Sequence, residues 1–156
     1  MELKLNNIYQ KIADSLIEII PEDWTEIYLY AELGEGSQTS YFFYYPTGDE
    51  EPVYSHDIPE IFGVSEQVYE ELWSEQLEYF RELANVFKEN KQEPWTNLTL
   101  YLNNEGNFNV DYGYENILNI DPYEQQVVWE YKHLGIVSED EYDKKIIEKF
   151  FPPNNK

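Results

Sequence analysis

From Ser65 to Lys91 apolar side chains recur at Val68, Leu72, Trp73, Leu77, Phe80, Leu83, Ala84 and Phe87. That three- and four-residue spacing belongs to one face of a helix. Ser65 is the predicted N-cap, with Val64 and Val68 as the two halves of a hydrophobic staple. No Pro or Gly interrupts the run, and Pro94 closes it. At about 1.5 Å per residue such a helix is roughly 40 Å long. So wide an apolar stripe needs a sheet or a set of other helices to cover it.

The rest of the pattern supplies that cover. Leu5, Ile8, Ile12, Leu16 and Ile19 mark an amphipathic first helix stopped by Pro21. Trp24 to Leu33 alternates as a strand, with Ile27, Leu29 and Ala31 against Tyr28, Tyr30 and Glu32. Gly34-Glu35-Gly36 is turn chemistry, and Gln38 to Tyr45 is the return strand. Pro46-Thr47-Gly48-Asp49 turns again into a short third strand, Val53 to His56, which Pro52 assigns to an edge. After the long helix, Trp95 to Leu102 alternates, Asn103-Asn104-Glu105-Gly106 forms a hairpin loop, and Asn107 to Tyr112 returns. Asp121 and Pro122 open a further helix whose buried side is Val127, Val128, Tyr131 and Leu134, with Gly135 as its C-cap. Ser138 starts a last helix carrying Tyr142, Ile146 and Phe150, and Pro152-Pro153 ends it in a frayed tail over 151–156. Hairpins lie between helices without strand–helix–strand alternation, which predicts an α+β fold. Its antiparallel sheet has about five strands, packed on the long helix with N- and C-terminal helices, in one domain over 1–156. Strand order stays open.

Charge changes this picture. Glu66 and Glu70, Glu71 and Glu75, and Glu78 and Glu82 are like-charge pairs four residues apart on the outer face of the long helix. Each destabilises an isolated helix by roughly 0.2–0.5 kcal/mol, and Arg81, Lys88 and Lys91 relieve it only in part. The face is either a solvated device for solubility or a negative surface with a use. The whole chain carries a formal net charge of −22, which repels nucleic acid and anionic membrane and favours a basic partner. Apolar residues at 42% and aromatics at 17% argue for a packed core.

Candidate chemistry is sparse. With no cysteine, disulfides, thiolate catalysis and Cys-ligated zinc are excluded. No apolar run reaches the length of a membrane span and no signal pattern opens the sequence, so a cytoplasmic protein is expected. The two histidines, His56 and His133, are far apart in sequence, and His133 near a helix C-terminus complements the dipole. Asp49, Glu50 and Glu51 with Asp57 and Glu60 lack the spacing of an EF-hand loop and read as a solvated loop. Carboxylate pairs are so numerous that an acid and base could be drawn anywhere, which makes the signal worthless. Asp111 and Glu115, flanking Tyr112-Gly113-Tyr114, are the least implausible pair, against a preferred reading as a polar strand end. No metal site, cofactor or catalytic residue is assigned. The 15 tyrosines suit the second face of a strand, and tyrosine interleaved with carboxylates also suits an interface with a basic protein.

Five segments then carry a resemblance: Ile20-Pro21-Glu22-Asp23-Trp24, Tyr69-Glu70-Glu71-Leu72-Trp73, Glu93-Pro94-Trp95-Thr96, Asn104 through Tyr112, and Tyr131-Lys132-His133-Leu134-Gly135-Ile136. In this order and spacing, from about Ile8 to Phe150, the chain resembles the YezG-like immunity proteins of Gram-positive bacteria, which include the staphylococcal EsaG group. One departure is Val137-Ser138, where the family pattern has a proline after the Gly-Ile pair and its next residue; Ser138 can cap the last helix instead. The resemblance implies an antitoxin that binds, in the cytoplasm, the nuclease domain of an LXG-type or EsaD-like toxin of the type VII system and blocks its DNase activity. It brings no catalytic residues and no fixed contact positions.

A DNase needs a basic groove for phosphates, to which a negative protein is steered. The reading is therefore a non-enzymatic inhibitor. Its expected contacts are Glu71, Glu75, Glu78 and Glu82 on the long helix and the loop acids Asp49, Glu50 and Glu51. The alternatives are a small acidic hydrolase using a pair such as Asp111 and Glu115, and a generic DNA mimic. A homo-oligomer is compatible with apolar area left on the sheet.

Overall fold

A computed structural model describes residues 1–34 and 37–153. The predicted turn at Glu35 and Gly36, and the end of the predicted frayed tail at 154–156, lie outside the described residues. The chain divides into two compact units, Met1–Glu115 and a second from Asn116 onward.

The first unit is built on an antiparallel sheet. β1 (Trp24–Gly34) pairs with β2 (Ser37–Pro46) on one side and with β4 (Asn97–Asn103) on the other. β3 (Val53–Tyr54) and β5 (Phe108–Gly113) form the edges, giving the order β3-β2-β1-β4-β5. Register decides the two faces. Leu29 lies opposite Phe42 and Leu100, and Leu100 lies opposite Val110, so one row of the pleat is apolar across four strands. The next row, Tyr30 with Tyr41 and Thr99, points the other way. Two devices protect the edges: β3 has only two residues, and β5 carries exposed Asn109 and Asp111.

α1 (Glu2–Ile19) and α3 (Glu66–Glu89) cover the apolar face. Ile12, Leu16, Ile27, Leu29, Phe80, Leu83, Leu98 and Leu100 are all essentially sealed from water there. Each such side chain contributes roughly 1.5–3 kcal/mol of transfer free energy. The Tyr9 hydroxyl on α1 and the Tyr112 hydroxyl on β5 are 2.5 Å apart, tying the first helix to the edge strand.

Both the α+β class and the antiparallel sheet agree with the sequence, while several details differ. The third strand ends at Tyr54, because Ser55–Asp57 forms a 3-10 turn in which Ser55 Oγ accepts the Phe42 amide at 3.0 Å. A short helix, α2 (Ile58–Phe62), follows, stopped by Gly63 at φ 68°. Ser65 caps α3 as predicted, but Val68 is 47% exposed and Tyr69 takes the inward position. The staple is therefore not made as expected. Trp95 precedes β4 rather than starting it, and its ring is buried.

The second unit holds α4 (Pro122–Leu134) and α5 (Glu141–Phe150). Asp121 caps α4 by accepting the Tyr123 amide, and Gly135 ends it at φ 67°, a left-handed conformation that glycine adopts without strain. Trp129 is the buried residue of α4, whereas Val127, Val128, Tyr131 and Leu134 are half-buried. Asp140, not Ser138, caps α5: its carboxylate takes the Tyr142 amide, and Ser138 Oγ takes the Asp140 amide. That shift puts Asp143, Ile146 and Ile147 inward and leaves Tyr142 and Phe150 exposed. Tyr123 donates a 2.6 Å hydrogen bond to Asp143, joining the two helices, and Glu124 meets Lys149 at 3.8 Å.

Candidate partner-binding surface

Glu71, Glu75, Glu78 and Glu82 follow one another at four, three and four residues, so one stripe of α3 presents them all, and all four are exposed. The loop acids Asp49, Glu50 and Glu51 are exposed too, on the connection from β2 to β3. Asp49 Oδ1 accepts the Glu51 amide at 2.9 Å, so this acid shapes its own turn.

The stripe is not uniform. Glu82 meets Lys11 of α1 at 3.4 Å, and Glu78 pairs with Arg81 one turn on. Glu75 accepts the Tyr79 hydroxyl at 2.6 Å and Glu71 accepts the Gln67 amide at 3.4 Å. Among the described residues neither Glu71 nor Glu75 has a cation within ion-pair distance. The negative charge of α3 is therefore least compensated in its first half. Proximity to Glu75 raises the Tyr79 phenol to about 12, mainly through their hydrogen bond, so it stays a neutral donor near pH 7.

Glu71, Glu75 and Glu78 rim a hollow of about 570 Å³ whose floor includes Trp73 and Leu77. Arg81 closes one side, its Nε donating to Gln38 Oε1 at 2.7 Å. Trp73 is fixed from below: its indole N–H reaches Ser40 O at 3.1 Å and Ser40 Oγ at 3.0 Å. A hollow that sets Glu71 and Glu75 beside Trp73, with Arg81 already paired to Glu78, suits the aliphatic stem and cationic head of lysine or arginine. The α3 acids were visible in the sequence; the floor was not, because Trp73 and Leu77 read there as ordinary core positions.

His56 has a structural place. Its ring is ringed by Tyr54, Tyr69 and Trp73 at centroid distances of 5.2, 5.9 and 5.5 Å. His56 Nδ1 shares a 2.8 Å hydrogen bond with the Tyr69 hydroxyl. Burial holds its pKa below the ordinary 6.5, against smaller opposing effects of a Ser40 backbone hydrogen bond and the Asp57 charge. His133 packs on Trp129, with ring centroids 5.1 Å apart, in the last turn of α4.

Asp111 and Glu115 are both exposed, and each is engaged by a different amide: Asn109 on Asp111 at 3.3 Å, Asn97 on Glu115 at 3.0 Å. A general acid is made by shielding a carboxyl from water, and neither position does so. Among the described residues no group of three or more His, Asp and Glu is placed to hold a metal ion, and no helix is long and apolar enough to cross a membrane.

On the sheet face turned away from α1 and α3 the tyrosines form a ladder. Tyr28 lies 5.0 Å from Tyr101 and 6.4 Å from Tyr45, and Tyr30 lies 5.3 Å from Tyr41. Burial first, then the charge of Glu26, pushes the Tyr28 phenol up to about 12. The Tyr28 and Tyr101 hydroxyls donate to the same Glu26 oxygen at 3.3 and 3.0 Å. Much of the tyrosine excess is thus cross-strand packing.

Comparison with known proteins places the chain in a family. The sequence profile described as "Immunity protein YezG-like" matches residues 5–148. The chain is 41% identical over 145 residues to "Immunity protein YezG" of Bacillus subtilis, covering 92% of this chain and 96% of that protein. It is 39% identical over 153 residues to "Immunity protein YezG" of Bacillus spizizenii, covering 97% and 95%. With "Type VII secretion system protein EsaG" of Staphylococcus aureus it shares 32% identity over 144 residues, covering 91% and 88%. Matched along nearly its whole length by the profile and by these relatives, this acidic α+β chain belongs to the YezG-like immunity protein family.

Proposed function

We propose that this protein is the antitoxin of a secreted nuclease: it binds the DNase domain at the C-terminus of an LXG-type toxin exported by the type VII system, in the cytoplasm of the cell that makes both. Inhibition is by occupancy, without turnover. The observation that supports this most is the α3 stripe, where, among the described residues, Glu71 and Glu75 enter no ion pair and stand beside Trp73 and Leu77. A nuclease must present a cationic groove to the phosphates of its substrate. A chain of net charge −22 is drawn to such a groove, at low salt with association rates approaching roughly 10⁸–10⁹ M⁻¹s⁻¹. Contacts at Glu71, Glu75, Glu78 and Glu82, joined by Asp49, Glu50 and Glu51, then hold lysines and arginines that would otherwise grip DNA.

Co-expression decides the matter. Cells carrying the C-terminal domain of the toxin encoded beside this gene are expected to survive when this chain is co-expressed and to lose their DNA when it is not. Equal killing with and without this chain overturns the reading.

A further inference from the structure

A larger groove, of about 1070 Å³, lies between α1 and the β4–β5 turn, away from the α3 stripe. Ala13 and Ile17 of α1 line one wall, Trp24 stands at the entry to β1, and Phe108 lies at the start of β5. Ile17 is 56% exposed, on a flank of α1 where Asn6 and Gln10 are exposed as well and Ala13 is half-buried. The charged residues of the lining are Glu22 and Asp23, both exposed, and no lysine or arginine contributes. Among the described residues neither acid enters an ion pair.

The walls are fixed before any partner arrives. Tyr44 donates a 2.6 Å hydrogen bond to Glu22 Oε2, orienting that carboxylate. Thr47 N–H donates to Asp23 O at 3.1 Å, and Asn104 N–H donates to Thr25 O at 2.9 Å, tying the turn to the start of β1. Asn103 Oδ1 accepts the Glu105 and Asn107 amides at 3.0 and 2.9 Å, which holds the turn in shape. Preorganised walls reduce the ordering that binding would otherwise require.

We propose that this groove is a second docking site for the toxin, separate from the α3 stripe. It takes a segment in which an apolar side chain stands beside a lysine or arginine. The apolar group packs on Ile17, Trp24 and Phe108, and the cation reaches Glu22 and Asp23. The choice of partner rests on charge: an acidic peptide or a nucleic acid meets two carboxylates and no cation in this lining, and a second copy of this chain brings its own −22 into the contact. The inference depends on the reading that the chain binds a basic toxin domain. It adds an anchor that slows release to a stripe that speeds encounter.

The test uses the full chain and the C-terminal domain of the toxin encoded beside its gene, with affinity and rates measured by surface plasmon resonance. Ile17→Arg and Asp23→Lys change exposed side chains, and circular dichroism checks that both variants fold. Each is expected to weaken binding roughly tenfold or more, chiefly through faster dissociation. Hydrogen exchange on the unmodified complex is expected to slow the amides of Asn104, Glu105 and Gly106 beyond their rates in the free chain, where each is already hydrogen-bonded within the turn or to Thr25. Wild-type affinity in both folded variants, or no added slowing in that turn, overturns the groove as a docking site. So does a change in self-association, followed by sedimentation, with toxin binding intact. If the wild-type chain itself fails to bind the toxin domain, it is the proposed function that falls.

Discussion

Gln76 and Ser15 meet in the core, Gln76 Nε2 donating to Ser15 Oγ at 3.0 Å where α3 crosses α1, with Gln76 fully sealed from water. Ser15 Oγ donates in turn to Ile12 O at 2.7 Å, and among the described residues Gln76 Oε1 has no partner. Buried polar groups of this kind stabilise little in sum, yet removing one partner leaves the other desolvated and unpaired. Gln76→Ala is therefore expected to lower stability by about 2 kcal/mol. Ser15→Ala combined with Gln76→Leu should fall within about 1 kcal/mol of wild type. Urea denaturation midpoints of the two variants decide between a specifying contact and a strengthening one.

His56 makes stability depend on pH in a definite direction. Its pKa in the folded protein is lowered by burial among Tyr54, Tyr69 and Trp73, with Asp57 nearby opposing. As pH falls below the ordinary 6.5, the unfolded chain binds a proton that the folded chain does not yet accept. That contribution to stability is then lost progressively until the folded group titrates. Subtracting the stability of His56→Gln isolates it from the relief of carboxylate repulsion. The difference between wild type and variant is expected to shrink as pH is lowered from about 7.5 to about 5.5, and a pH-independent difference would contradict this.

Trp73 joins the surface socket to the sheet. Trp73→Phe keeps an aromatic ring but loses part of the indole's bulk and the donor to Ser40 O and Oγ, in a site where Ser40 is fully buried. A loss of about 1–2 kcal/mol is expected, read as a lower thermal midpoint, with the α3 acids still on the surface.

Glu71→Lys with Glu75→Lys reverses the charge where no cation compensates it. Association with the toxin domain is expected to slow and its dependence on salt to flatten, while dissociation changes less. Stopped-flow rates at two salt concentrations test this. An unchanged rate and salt slope would make the stripe a solubility device.

What the residues foretold was mostly local. Periodicity of 3.6 and of 2 placed α1, α3 and the two hairpins because each pattern needs only near neighbours in sequence. The caps at Ser65, Asp121 and Gly135 were legible for the same reason: an N-cap side chain or a left-handed glycine acts within one turn. Misreadings arose where a distant partner decided. Ser55 leaves the strand to serve the Phe42 amide, and Asp140 displaces Ser138 as the cap of a helix whose inward face centres on Asp143, bonded to Tyr123.

The sequence by itself determined the α+β class, the acidic balance, the stripe of glutamates on one helix face and, through the order of its motifs, the family. Tertiary structure decided which of those charges stand alone. Lys11 reaches Glu82 only because α1 packs on α3, and Arg81 is held between Glu78 and Gln38. It also assembled the groove, whose lining residues come from α1, the start of β1 and the β4–β5 turn. Helical and strand periods are properties of a few consecutive residues, whereas a cavity or an ion pair between elements exists only once those elements have packed.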